Sequence, residues 1–141
     1  MAKANRVDPA IAPQAAEFAV TVARDIFKAE LDFTPATLEA LDTIIENTRL
    51  GGCKVSEMTY FMIGFGCYLG EVIVRNIGGV WQSTSDILTK AKYEEELVLL
   101  LESKGVLLNP LGKVHKRLRI GPDESVEAFY HFAAQLPTRK S

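Results

Sequence analysis

The stretch CYLGEVIVRNIGGVWQ, residues 67–82, decides the fold because helical periodicity ends within it. Up to that point apolar side chains fall on nearly every side of a helix, which predicts a buried central helix at about 56–77. Gly66 and Gly70 lie four residues apart and therefore share one face of this helix. Each glycine costs about 1 kcal/mol of helix propensity relative to alanine, so we expect that face to be a line of close contact with a neighbour.

Beyond Gly78-Gly79 the helical pattern is replaced by short apolar runs. These runs cover residues 80–82, 97–101 and 106–108. The last two are separated by turn-forming residues, a pattern typical of a β-hairpin. We therefore predict a small antiparallel sheet drawn from residues 79–109, covered by Trp81.

Two helices are predicted before the central one. The first ends near Phe27 and is expected to face the core with an apolar stripe that consists of Phe18, Val22 and Ile26, with Ala15 and Ala19 beside them. In the second helix Thr34 is a candidate N-cap and Pro35 a candidate first residue. Gly51-Gly52 is expected to end it.

Two more helices are predicted after the sheet. Asn109-Pro110 combines a capping residue with a first-turn proline. The helix that follows should bury Leu111, Val114 and Leu118. Pro122-Asp123-Glu124 is expected to open the last helix, whose core-facing residues are predicted to be Phe129, Phe132 and Leu136. The predicted fold class is α+β: a helix-rich single domain with a buried central helix, a small antiparallel sheet and C-terminal helices.

Composition is that of one globular domain. The chain has 141 residues, of which 48% are hydrophobic and 24% are charged. We expect a flexible N-terminal tail at 1–10, a single α+β domain at 11–137 and a C-terminal tail at 138–141. A formal net charge of −2 argues against a surface built throughout for nucleic acid.

Sequence patterns of cofactor, metal and membrane sites were not found. Cys53 and Cys67 form no CxxC pair, and His115 and His131 are far apart, so no zinc site or other cofactor is expected. The N-terminus lacks the apolar core of a signal peptide, and the longest uncharged run, 58–70, is too short to span a bilayer. We predict a cytoplasmic protein with no membrane partner.

Two motifs resemble those of an uncharacterised family of small bacterial domains of unknown function. They are YLGEVIVRNIGGVW at 68–81 and NPLGKVHKRLRIGPDESVEAFY at 109–130. In such proteins a helix ending in glycine-glutamate leads into a GG-x-W strand. A strand pair, an NP-x-GKV-x-KRL segment and an acidic helix start then follow. The resemblance implies a helix-rich α+β fold and supplies no activity or catalytic residue.

Glu71 and Arg75 are the first candidate functional residues. They lie one helical turn apart with the acid on the N-terminal side, the more favourable orientation for an ion pair. One interpretation is an internal ion pair that fixes the helix against its neighbours. The other is a carboxylate and a guanidinium at the edge of a pocket, with Trp81 nearby. Because spacing places no second acid with them, general acid–base catalysis is not favoured.

The second candidate is a run of basic residues without an acid. It consists of Lys113, His115, Lys116, Arg117 and Arg119. Lys113, Lys116 and Arg117 lie away from the predicted apolar stripe, so we expect them to form an exposed helix face. One interpretation is a solvated face paired with the acids at 94–96. The other is a surface that binds an anion or an acidic protein; nucleic acid is not favoured because few aromatics interleave the basic residues.

Two function hypotheses follow. The first is a non-enzymatic cytoplasmic interaction or regulatory protein with an acidic protein partner, supported by segregated charge and by the lack of a catalytic constellation. The second is a small-molecule-binding or hydrolytic domain with a pocket around Glu71, Arg75 and Trp81. The two hypotheses differ in whether these three side chains converge on an open pocket.

Overall fold

A computed structural model of the chain describes residues 7–52, 55–87 and 95–139. In these ranges it forms five α-helices and one three-stranded sheet: α1 (Ile11–Phe27), α2 (Leu38–Leu50), α3 (Val55–Asn76), β1 (Val80–Ser83), β2 (Leu97–Leu101), β3 (Val106–Leu108), α4 (Pro110–Arg119) and α5 (Val126–Gln135). The predicted helix-rich α+β class is confirmed. The predicted tails include residues 1–6 and 140–141, which lie outside the described ranges, as does Cys53.

The helix α3 is the centre of the fold, as predicted, and packs against both α1 and α4. Leu69, Val72 and Ile73 are fully buried. The predicted contact line along its glycines is also confirmed. A Cβ atom built on Gly66 would lie 2.6 Å from the Cα of Leu111, and one built on Gly70 would lie 2.2 Å from two ring carbons of Trp81. The two glycines therefore bring α4 and the first strand close to the α3 backbone.

The sheet has the order β1-β2-β3, with both pairs antiparallel. Trp81 is opposite Leu99, which is in turn opposite Leu108. Four of the five side chains of β2 are buried, in agreement with its continuous apolar sequence. Gly78 and Gly79 have φ angles of 121° and 140°, which residues with a side chain rarely adopt, and they carry the chain from α3 into β1.

The predicted core stripe of α1 is wrong at Phe18 and Ile26, whereas Ala19 is buried and Val22 packs half-buried against the core. Phe18 is 68% exposed and Ile26 is also exposed. The buried face of α1 instead consists of alanines, namely Ala12, Ala16, Ala19 and Ala23. Small side chains allow α1 to approach α3 closely: a Cβ atom built on Gly64 would lie 3.7 Å from the Cβ of Ala19. The buried face of α1 is therefore the one that allows close packing against α3, and not the one with the largest apolar side chains.

The prediction for α5 is wrong at Phe132, which is 59% exposed, whereas Phe129 packs half-buried against the core. Its buried residues are Val126, Tyr130 and Ala133. The predicted helix opening at 122–124 is a short 3-10 turn, and α5 begins only after Ser125, whose Oγ accepts a hydrogen bond from the N–H of Ala128 at 3.1 Å.

The predicted caps of the two other helices differ in outcome. Asn109 caps α4, as predicted, by accepting a hydrogen bond from the N–H of Gly112 on Oδ1 at 3.0 Å. Thr34 is not a side-chain cap: its hydroxyl bonds to Oδ1 of Asp32 at 2.6 Å, and a 3-10 turn at Pro35–Thr37 precedes α2. The Asp32 carboxylate competes for the hydroxyl that the sequence pattern assigned to the helix.

Candidate functional site

Glu71 lies between Arg75 and Trp81 in the interior of the fold. Its Oε1 accepts a hydrogen bond from Nε of Arg75 at 3.1 Å, and its Oε2 accepts one from Nε1 of Trp81 at 2.9 Å. The Glu71 side chain is 6% exposed, and Trp81 is buried. The sequence spacing predicted the pair of Glu71 and Arg75. The hydrogen bond from Trp81 to Glu71 depends on the close contact of the Trp81 ring with Gly70.

Arg75 connects this cluster to two other parts of the fold. Its Nη2 lies 3.7 Å from Oε2 of Glu17 in α1, and its guanidinium carbon lies 3.6 Å from the ring centroid of Phe33. Phe33 has a φ angle of 68°, uncommon for a residue with a side chain. Its N–H donates to the Tyr68 hydroxyl at 2.9 Å, and its carbonyl accepts from Nδ2 of Asn76 at 3.0 Å. Arg75 thereby helps to hold the α1–α2 connection against α3.

These contacts favour the structural interpretation of Glu71 and Arg75. Both oxygens of the Glu71 carboxylate already accept hydrogen bonds from neighbouring side chains, and Trp81 uses its one polar hydrogen on the same carboxylate. Burial, with the charge of Glu71 as a second cause, raises the pKa of the Cys67 thiol to about 12. This thiol therefore remains protonated at neutral pH and is not an activated nucleophile.

The basic run is divided by the structure, and the prediction that Arg117 belongs to an exposed face is wrong. The Arg117 side chain is 5% exposed. Its Nε donates to Oδ1 of Asp42 at 3.0 Å and its Nη1 to Oε1 of Glu46 at 2.7 Å. Because α4 packs against α2 as well as α3, a wider part of its circumference is buried than its apolar stripe indicated.

Asp42 is the centre of a cluster that sequence reasoning missed. Besides Arg117, its carboxylate accepts hydrogen bonds from the hydroxyl of Ser125 at 2.8 Å and from the backbone N–H groups of Val126 at 2.9 Å and Glu127 at 3.2 Å. It therefore caps the N-terminus of α5 from α2 and supplies negative charge where the helix dipole favours it. The cluster joins α2, α4 and α5.

One sequence signal pointed to this cluster. Asp42 and Glu46 are four residues apart, so two like charges share one face of α2, which is unfavourable without a cation. Arg117 supplies that cation, and Arg49 donates from Nη2 to Oε2 of Glu46 at 2.6 Å. Hydrogen bonds from Arg49 and then Arg117 hold the pKa of Glu46 at about 2, well below its ordinary value of 4.5.

The remaining basic residues line an open cleft on the outer side of α4, with a volume of about 580 Å³. We call it the cationic cleft; its walls include Glu95, Lys113, His115, Lys116, Arg119 and Phe129. Lys113 is half-buried and donates from Nζ to Oε1 of Glu124 at 2.6 Å. Lys116 and Arg119 are exposed, and neither forms an ion pair with a carboxylate in the part of the chain that the structure describes.

A second cleft of about 310 Å³ adjoins the first. We call it the α3 cleft; its walls include Met62, Ile63, Glu95, Glu96, Leu111 and His115. Glu95 and His115 line both clefts. Glu95 is held by Asn109, whose Nδ2 donates to its Oε1 at 2.7 Å. His115 thus lies between two kinds of surface. The cationic cleft has exposed cations that form no ion pair with a described residue, and the α3 cleft has half-buried aliphatic side chains.

Known proteins provide no identification. Comparisons of the chain with models of protein families, with curated proteins and with solved structures found no match. The resemblance to a family of bacterial domains therefore stays a prediction. Among the described residues, no three His, Cys, Asp or Glu side chains are grouped closely enough to hold a metal ion. The helices in the same ranges also fall short of the length and hydropathy needed to cross a membrane.

Proposed function

We propose that this chain is a non-enzymatic cytoplasmic interaction protein that binds an acidic protein partner through the cationic cleft. The observation that carries the proposal is the exposure of Lys116 and Arg119 at a concave site, where neither forms an ion pair with a described residue. Their charges act on Glu124 only at longer range, where they help to lower its pKa. In the last turn of α4 the helix dipole favours each of these cations by about 0.3–1 kcal/mol, and this effect leaves both side chains free to bind a carboxylate. A concave surface on which cations outnumber carboxylates attracts a negatively charged partner.

The contacts of Glu71 support this proposal over a small-molecule or hydrolytic pocket. A general base must reach a substrate proton within about 2.6–3.2 Å. The Glu71 carboxylate is instead buried and accepts hydrogen bonds from Arg75 and Trp81. Replacing Trp81 with a substrate would leave a buried indole N–H without its acceptor.

The arrangement of charge supports a protein partner over nucleic acid. Glu95 lines both clefts and Glu96 lines the α3 cleft, so the same surface carries carboxylates as well as cations. A nucleic-acid strand carries a phosphate at every nucleotide and would meet repulsion at these acids. An acidic protein segment, by contrast, can carry carboxylates opposite the cations and uncharged residues opposite these acids.

The test uses a fluorescently labelled octaglutamate peptide as the probe, with binding measured by anisotropy at low and high salt. Reversing Lys116→Glu and Arg119→Glu together should weaken binding by about tenfold or more at low salt, with little change in melting temperature. The matched control reverses two exposed cations of the α1 end, Arg24→Glu and Lys28→Glu, and should leave binding close to that of the parent. Equal losses in the two double variants would show a nonspecific charge effect and contradict the proposal.

A further inference from the structure

We infer that the cationic cleft and the α3 cleft form one groove that receives an extended acidic segment of a protein partner, with carboxylates at one end and an aliphatic side chain at the other. This inference rests on the proposed function and specifies the chemistry of its partner. A protein segment suits the groove because a single peptide can match its two kinds of surface.

The continuity of the groove follows from the residues on α4. Leu111, His115 and Arg119 are four residues apart in succession and therefore form a row along one side of the helix. Leu111 belongs to the α3 cleft, Arg119 to the cationic cleft and His115 to both. With a rise of 1.5 Å per residue, the row is about 12 Å long. An extended peptide covers that length in about four residues.

The cationic end selects for carboxylates. Lys116 and Arg119 are exposed there, whereas Lys113 already pairs with Glu124. The Lys113 ammonium also lies 5.9 Å from the ring centroid of Phe129, so its position is restrained from two sides. Two cations that make no ion pair within the described chain are therefore ready to bind a ligand carboxylate, and the guanidinium of Arg119 can do so through two parallel hydrogen bonds.

The opposite end selects against a further acid. Met62 and Ile63 are half-buried and Leu111 is buried, which suits an aliphatic side chain. Glu96 lies at this end and Glu95 lines both clefts, so these two acids would repel a ligand carboxylate placed there. The segment is therefore expected to carry its acids about three or four residues from its aliphatic side chain. An acid at both ends is disfavoured.

The experiment compares labelled nine-residue peptides that share serine-glycine flanks and differ in a five-residue centre. The matching peptide has the centre Glu-Glu-Ser-Ser-Leu. Peptides with serine or glutamate in place of the leucine are its controls. We expect the leucine peptide to bind at least about fivefold more tightly than the serine peptide, because the groove removes part of an aliphatic side chain from water. The glutamate peptide should bind more weakly than the leucine peptide.

Two protein variants assign these preferences to the groove. Met62→Gln should reduce the preference for leucine over serine, and Glu96→Lys should strengthen binding of the glutamate peptide. The side chain of Glu96 is exposed, so its variant tests the groove without disturbing the core. A melting curve of each variant confirms that it is folded before binding is compared.

The outcomes separate this inference from the proposed function. If octaglutamate binding depends on Lys116 and Arg119 but the leucine and serine peptides bind equally, the groove is wrong and the acidic partner stands. If no peptide binds and octaglutamate does not respond to charge reversal, the proposed function fails and this inference fails with it. Tighter binding of an oligothymidylate than of every peptide would contradict both.

Discussion

Replacement of Arg117 by methionine should destabilise the fold more than any change in the exposed basic residues. Methionine preserves much of the side-chain volume but removes a guanidinium that is 5% exposed. Three donors are lost: Nε to Oδ1 of Asp42, Nη1 to Oε1 of Glu46, and Nη2 to the Asp42 carbonyl at 3.2 Å. Two carboxylates on one face of α2 then lose the cation between them, and only Glu46 keeps another, Arg49.

The size of the effect follows from the burial of the partners. Removing one member of a buried ion pair costs about 3–5 kcal/mol. The side chains of Asp42 and Glu46 are 16% and 23% exposed, so water can partly solvate them, and Asp42 keeps its bonds to the start of α5. We therefore expect the lower end of this range, about 3 kcal/mol. For a domain of this length, that corresponds to a melting temperature lower by about 10 °C.

The assay is thermal unfolding followed by circular dichroism at neutral pH. Lys116→Met, a change of the same type at the neighbouring exposed position, is the matched control and should shift the melting temperature by less than about 2 °C. Arg117→Lys should lie between the two, because lysine retains the charge but not the planar set of donors. If Arg117→Met melts within about 2 °C of the parent, the cluster does not join α2 to α4 as described.

Three further predictions concern pH, glycine packing and the Trp81 hydrogen bond. Because the pKa of Glu46 is about 2 in the fold and 4.5 ordinarily, its stabilising effect is complete above its ordinary pKa and is lost as pH falls from about 5 toward 2. Acid unfolding curves of Glu46→Gln should therefore be flatter in that window than those of the parent. Gly70→Ala would place a Cβ atom 2.2 Å from the ring of Trp81 and should cost about 1–3 kcal/mol in urea unfolding. Gly64→Ala, with its nearest neighbour at 3.7 Å, should be neutral or stabilising by up to about 1 kcal/mol, and an equal loss in both would contradict the contact line. Trp81→Phe removes the donor to Oε2 of Glu71 and should cost at least about 1–3 kcal/mol in the same assay; an unchanged midpoint would show that this hydrogen bond does not stabilise the fold.

Local chemistry explains which helix ends could be predicted. Asn109 caps α4 through its own side chain, three residues from the N–H that it accepts. Asp42 caps α5 from a different helix, 84 residues away from Val126. A local sequence pattern includes both residues of the α4 cap. It cannot include both residues of the α5 cap, because they are far apart in the chain. The helical spacing of Glu71 and Arg75 is likewise visible in the sequence, whereas the contact of Glu71 with Trp81 depends on how the strand packs on α3.

The candidate site shows the same division. The sequence identified a run of cations in α4. Two of them, Lys116 and Arg119, line the cationic cleft, where they are exposed and form no ion pair with a described residue. It could not predict that Arg117 turns inward, because only the packing of α2 brings Asp42 and Glu46 to it. The aliphatic wall of the α3 cleft comes from a helix about fifty residues earlier.

By itself the sequence determined the α+β class, the central position of α3 and the start of the sheet at Gly78-Gly79, because periodicity and turn residues act over a few positions of chain. Only the tertiary structure decided which face of α1 is buried. There, close approach to α3 favours alanines over Phe18, since packing depends on the distance between helices as well as on hydrophobicity. The tertiary structure also decided which cations form buried ion pairs and which remain exposed, because charges interact through space and not along the chain.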